Sequence, residues 1–429
     1  MKKLFLALVI PFAVNMSTAY LQAAQNNLPA TSQIFFTITL NASNVGPSDT
    51  PRATGTGWAV LSGDRKSLYY NITYAQLTSA YSASHFHLGF AGSSGPVLEP
   101  IQFHGNTSNG TWINLPDTVA DELLKGQIYV NIHTKNYPAG EIRGQVVQSS
   151  GIPFSIVLNA SQVTSADSSK ASGTGWAILN TNGSESWLKY GITIAGLTSQ
   201  YSAAHFHSGA VMQNGGVIEP ITFTDSSAYG TWSGVPDNDI LSLVKKGVYV
   251  NVHTSNYPAG EIRGQLNLAE PISFYASLEG AQETPSVSTN AEGTGWFVMK
   301  SDSMSLAYRI TYAGLSSNFT ASHFHHGMAG SAGPVVHSIE YNGNTASGTW
   351  KNMPDSLVID LLKENLYVNV HSSNHPGGEI RGQVLLNQGA AFMASLDGSQ
   401  CVPSVLTGAT GTAWLSLMND SLKFRVTVA

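Results

Sequence analysis

Ser67-Leu68-Tyr69-Tyr70-Asn71-Ile72-Thr73-Tyr74 alternates apolar and polar residues with period two and is rich in β-branched and aromatic side chains. That pattern predicts a strand with two different faces. Gly55-Thr56-Gly57-Trp58 precedes it, after an apolar strand ending at Leu40. His85-Phe86-His87, a Gly-rich loop from Gly89 to Gly95, and Gly110-Thr111-Trp112 follow. Gly, Asn and Ser turns break these runs, so the reading is β nearly throughout. One short helix is expected after Pro116-Asp117, where Val119, Ala120, Leu123 and Leu124 recur at helical spacing and Asp117 is the expected cap. The fold class predicted is all-β, an antiparallel Greek-key β-sandwich with one short helix.

The whole set returns. The tryptophans of the Gly-Thr-Gly-Trp motif, Trp58, Trp176 and Trp296, and of its variant at Trp414, stand 118–120 residues apart in a chain of 429. A period of that length is a domain rather than a solenoid unit. Complete modules are predicted over residues 33–148, 151–268 and 271–387, with a partial fourth over 390–429 whose strands would have open edges. The links, Gln148 to Pro153 and Ala269-Glu270-Pro271, are short and predict domains in a row with little freedom. Trp58, Trp112 and their equivalents are expected in the core.

Charged residues make up 11% of the chain and the net charge is −6. No Lys/Arg cluster forms a phosphate-binding stripe, which argues against a nucleic-acid partner. Residues 1–24 read as an export signal: Lys2-Lys3, an apolar run from Leu4 to Val14, and small residues at Ser17-Thr18-Ala19 or Ala23-Ala24. The expected location is therefore secreted or cell-surface, with no transmembrane segment in the mature chain. Cys401 is the single cysteine and reads as a free thiol.

Chemistry is concentrated in one recurring trio. His85, His87 and His133 return as His205, His207 and His253 and again as His323, His325 and His371. In His85-Phe86-His87 both imidazoles share a strand face and Phe86 takes the other. His133 shares its outward face with Asn131 and Tyr129, because Val130 and Ile132 belong to the core. If the two strands are neighbours, the three rings meet. Three neutral imidazoles suit copper or zinc and leave a further position open. The alternative is a set of surface histidines without metal. Gly140-Glu141-Ile142-Arg143-Gly144-Gln145 reads as a return strand with Glu141, Arg143 and Gln145 facing out. Glu141, Glu261 and Glu379 are expected to orient a ligand imidazole. Arg143, Arg263 and Arg381 are expected to attract an anion to the metal, or to form an exposed pair with the glutamates. His104 is replaced by Thr224 and Asn342 and reads as incidental, while His326 and His375 read as surface residues. No nucleophile–base set or Gly-rich phosphate loop stands out.

Leu278 to Pro285 (Leu-x-Gly-Ala-Gln-Glu-x-Pro), Gly-Thr-Gly-Trp, His-Phe-His-x-Gly, Tyr-Val-Asn-Val-His and Gly-Glu-Ile-Arg-Gly-Gln, in that order, resemble the chordin-type (CHRD) domain over residues 33–429. The resemblance implies an exported protein with an extracellular protein or surface ligand as partner. The cysteine-rich modules of chordin itself are lacking here. A fainter similarity is to copper–zinc superoxide dismutase, carried by Gly196-Leu197 before His205-Phe206-His207, by Val252-His253, and by Arg263 in a Gly-rich segment. It implies a copper-dependent oxidoreductase, but the bridging histidine, zinc ligands and disulfide have no counterpart. A binding or surface role, an oxidoreductase and a metal-free stalk are thus the functions the sequence leaves open.

Overall fold

A computed structural model describes residues 33–45, 52–164, 168–269, 271–300, 304–418 and 421–429. The export segment expected over residues 1–24 lies outside the described residues. The first module contains β1 Ile34–Asn41, β2 Thr54–Leu61, β3 Ser67–Ala75, β4 Tyr81–Leu88, β5 Val97–Pro100, β6 Thr107–Ile113, helix α1 Asp117–Leu124, β7 Ile128–Thr134 and β8 Ile142–Gln148. All pairings are antiparallel, in the order β5-β4-β7-β8-β1-β2-β3-β6. The sheet folds over so that its two halves face each other. Phe86 on β4 meets Tyr70 on β3 at 5.2 Å and Trp112 on β6 at 5.6 Å, ring centroid to centroid. The alternation of residues 67–74 is the cause: Leu68, Tyr70, Ile72 and Tyr74 are buried on the core side. Removing a buried phenyl ring of this kind costs about 3–5 kcal/mol. The same arrangement recurs from Ile152–Asn159 to Ile262–Leu268 and from Ile272–Glu279 to Leu385–Leu386.

The helix is present, with Ala120, Leu123 and Leu124 buried, but its cap differs from expectation. Pro116 occupies the capping position in extended conformation and no side chain caps the helix. Asp117 is thereby the first helical residue, where its carboxylate accepts from Lys66 Nζ at 2.6 Å and faces the positive helix end.

The recurring tryptophans divide into two sets. Trp112, Trp232 and Trp350 pack on Phe86, Phe206 and Phe324 in the module cores, as expected. Trp58 and its equivalents do not. Trp58 and Trp176 pack with Phe35, Val60, Ile178 and Ala269 between the first and second modules, and Trp296 and Trp414 pack with Val298, Tyr275 and Met393 between the third and fourth. On β2, Ala59 and Leu61 fill the core, so Thr56, Trp58 and Val60 point the other way and need another cover.

The modules are also not strung in a row. Gln33 to Phe35, the stretch around Gln148 to Pro153, Pro271 to Ser273 and Leu386 to Ala390 border one small cavity, so the four starting strands converge. The helices Asp237–Val244 and Asp355–Leu362 lie side by side with reciprocal ion pairs, Lys245 to Asp355 at 2.7 Å and Lys363 to Asp237. Among the described residues the fourth copy contributes three strands, Ala390–Asp397, Thr410–Met418 and Ser421–Val428, and its Phe424 and Val428 are exposed.

Candidate metal centre

Neighbouring strands bring the histidines together. In the β4–β7 pairing His85 lies opposite Asn131, His87 opposite Tyr129 and Ala83 opposite His133. Phe86, Val130 and Ile132 are wholly buried in the core, which sends all three imidazoles to the other face. In each complete module the three rings offer nitrogens that all lie within 4.8 Å of one another. His85 Nδ1 is 3.3 Å from His133 Nε2, and His323 Nδ1 is 3.3 Å from His371 Nε2. Two nitrogens bound tetrahedrally to one ion at ~2.0–2.1 Å are separated by roughly 3.3–3.4 Å. The spacing therefore fits a shared ion.

Backbone carbonyls set the ring protons. His87, His207 and His325 donate from Nδ1 to Gly95, Gly215 and Gly333 at 3.0, 3.0 and 2.9 Å. His133, His253 and His371 donate from Nδ1 to Pro138, Pro258 and Pro376, each at 3.0 Å. A carbonyl only accepts, so Nε2 of each ring carries the lone pair. Nε2 of His87, His207, His253 and His325 and Nδ1 of His205 are buried with no hydrogen-bond partner among the described residues. Unmet buried ring nitrogens that lie close together, on rings of which two in each module have their tautomers chosen, fit a copper or zinc ion.

The Gly-rich loop completes the arrangement. Tyr129 stacks on His87 with centroids 4.9 Å apart, and the Arg143 guanidinium lies 3.4 Å from the Tyr129 ring centre. Arg143 donates to Phe90 O at 2.6 Å and Ser93 O at 2.7 Å, while Gln145 donates to Gly89 O at 2.8 Å. Gly95 N donates to the Tyr129 hydroxyl at 3.1 Å. Arg263 and Arg381 hold Ala210 and Gln213, and Met328 and Ser331, in the same way.

Two expectations about this segment are corrected. Glu141 does not reach His133. It is buried and accepts from Thr78 N, in the connection between β3 and β4, and from Thr134 Oγ1 at the end of β7, each at 2.7 Å. Glu261 accepts from Thr198 N, Thr254 Oγ1 and Ser169 Oγ, and Glu379 from Ser316 N, Thr289 Oγ1 and Ser372 Oγ. Arg143, Arg263 and Arg381 are likewise buried rather than outward, and they serve loop carbonyls instead of an anion or the glutamates. Tyr129, Gly95, Pro138 and their equivalents were not singled out. Their recurrence beside the histidines in every complete copy was the available signal. His104 is exposed, His326 pairs with Asp360 at 3.5 Å, and Cys401 is a free, exposed thiol. The third module alone has Glu283, buried beside Asn369 and Arg381, where burial pushes its carboxyl up to about 7.

Burial lowers the imidazole pKa of His85, His133, His207, His253, His325 and His371, and neighbouring imidazoles lower them further. Well above the ordinary value, ~6.5, folded and unfolded chains both carry neutral rings. Below it the unfolded chain binds more protons, so stability decreases as the pH is lowered, until the folded rings also protonate. The metal-free chain is expected to melt at progressively lower temperature from pH 7 to pH 5. Replacing His133, His253 and His371 by glutamine should flatten that slope in calorimetry; an unchanged slope would place its origin elsewhere.

The sequence profile of the CHRD domain matches residues 36–146, 154–266 and 274–384. Chordin of Xenopus laevis is 24% identical over 340 residues, covering 70% of this chain and 36% of that protein. Chordin of Danio rerio is 27% identical over 284 residues, covering 61% and 30%. The dorsal-ventral patterning protein Sog of Drosophila melanogaster is 25% identical over 301 residues, covering 66% and 28%. The chain thus spans about a third of the length of the curated relatives it matches.

Proposed function

This chain belongs to the CHRD-domain family, and we propose that it is an exported binding or cell-surface protein whose complete modules each hold one copper or zinc ion. His85, His87 and His133 hold the ion in the first module, His205, His207 and His253 in the second, and His323, His325 and His371 in the third. The observation that carries this reading is the convergence of three imidazole nitrogens in each of three modules, two of the three rings having tautomers set by backbone carbonyls. A bound ion supplies an electrophilic position for an oxygen or nitrogen donor of an extracellular protein or surface ligand. Export rests on Lys2-Lys3 and the apolar run from Leu4 to Val14. No described helix is long and apolar enough to cross a membrane.

Metal analysis of the copper- or zinc-repleted protein tests the site. The expected result is one ion per complete module, lost when His85, His205 and His323 are all replaced by alanine. Equal metal in both proteins would exclude the proposed site. The commitment of Arg143, Arg263 and Arg381 to loop carbonyls favours binding over a superoxide dismutase-like reaction. Superoxide consumption by the copper-loaded chain should not exceed that of equal free copper, and a rate well above it would restore the oxidoreductase reading.

A further inference from the structure

The outer side of β2 and β3 carries threonines beside a tryptophan, and the chain packs two such faces together twice with the same reciprocal contacts. Thr56 Oγ1 meets Thr193 Oγ1 at 2.8 Å, and Thr73 Oγ1 meets Thr174 Oγ1 at 2.7 Å. Thr56 and Thr174 are equivalent positions in their modules, as are Thr73 and Thr193. Between the third and fourth copies Thr294 meets Thr427 and Thr311 meets Thr412, each at 2.7 Å. All eight threonines are at most 1% exposed. Contact of the first position with the second, and of the second with the first, is the signature of an isologous two-fold interface. The chemistry suits self-recognition: a hydroxyl both donates and accepts, so a threonine pair is satisfied whichever copy stands opposite. Tryptophans flank the polar centre from both sides, and Tyr275 and Trp414 lie 4.1 Å apart, centroid to centroid.

We propose that this face is a self-complementary pairing surface whose partner is another module of the same kind. The three strands of the fourth copy act as the cover of the third module's face. When that cover is displaced, the face takes the third module of a second copy of this chain, Thr294 of one opposite Thr311 of the other. In the intact chain the fourth copy wins because its tether keeps it at high effective concentration. This inference is independent of the metal reading.

The test uses the full chain with Thr412→Arg and Thr427→Arg, which put charge and bulk into the buried contact from the fourth copy only. Light scattering across a concentration series should show the apparent mass rising towards twice that of the unmodified chain. Adding Thr294→Arg should return it to the unmodified mass. Circular dichroism reports whether the β structure is retained. A folded variant that stays at the unmodified mass at every concentration would overturn the proposal, as would association that survives Thr294→Arg. Should the double variant not fold, Arg425→Glu serves: Arg425 pairs with Glu279 and Glu292 at this contact. It should shift the mass in the same direction to a smaller degree, and a folded Arg425→Glu chain without concentration-dependent association would equally overturn it.

Discussion

Replacing Gly95, Gly215 and Gly333 together by alanine is expected to strip bound metal from all three complete modules while leaving every histidine in place. A Cβ at each position would lie 1.5 Å from the backbone carbonyl oxygen of Leu88, Ser208 or His326. No side-chain rotation relieves an overlap with backbone, so the loop must move. The same glycines present the carbonyls that accept from His87, His207 and His325, and their amides donate to Tyr129, Tyr249 and Tyr367. Moving the loop therefore frees the imidazole tautomer and unseats the stacked tyrosine together. Overpacking of this kind costs about 3 kcal/mol per module, and metal analysis with calorimetry reads both effects. Full metal content with an unshifted transition would show that the loop does not set the ring.

Arg381→Ala should be the most damaging single substitution near the candidate centre. Its guanidinium is among the largest fully buried side chains; it donates to Ser331 O at 2.9 Å and Met328 O at 2.8 Å and lies 3.5 Å from the Tyr367 ring centre. Two charge-assisted hydrogen bonds and a buried cation–π contact together imply a loss of about 3 kcal/mol or more. Lysine lacks the planar fork that spans both carbonyls, so Arg381→Lys should recover little. The expected readout is a lower first calorimetric transition in both variants, with weaker metal retention. Recovery by lysine to the unmodified value would mean that charge alone matters, and that the fork and stack do not.

The candidate site was legible to the extent that it depends on strand faces. His85 and His87 had to share a side because Phe86 takes the other, and His133 had to face out because Val130 and Ile132 are apolar. The roles of Glu141 and Arg143 were not legible. Both stand at outward positions by alternation, yet the connection between β3 and β4 reaches one through Thr78 and the Gly-rich loop covers the other. Alternation tells which face a residue takes but not what later lies on that face. Trp58 shows the same limit. Trp58 was expected in the core, but the core side of β2 is filled by Ala59 and Leu61.

By itself, the sequence determined the all-β class, the short helix and the sidedness of the histidines, because these follow from the backbone's period and from residues within a few positions of one another. Tertiary structure alone decided that β4 and β7 are neighbours, that loop carbonyls choose the imidazole tautomers, and that modules pair through the Gly-Thr-Gly-Trp face. Those outcomes join groups dozens to hundreds of residues apart. A threonine–tryptophan face reads the same in sequence whether its cover is solvent, a core or another module.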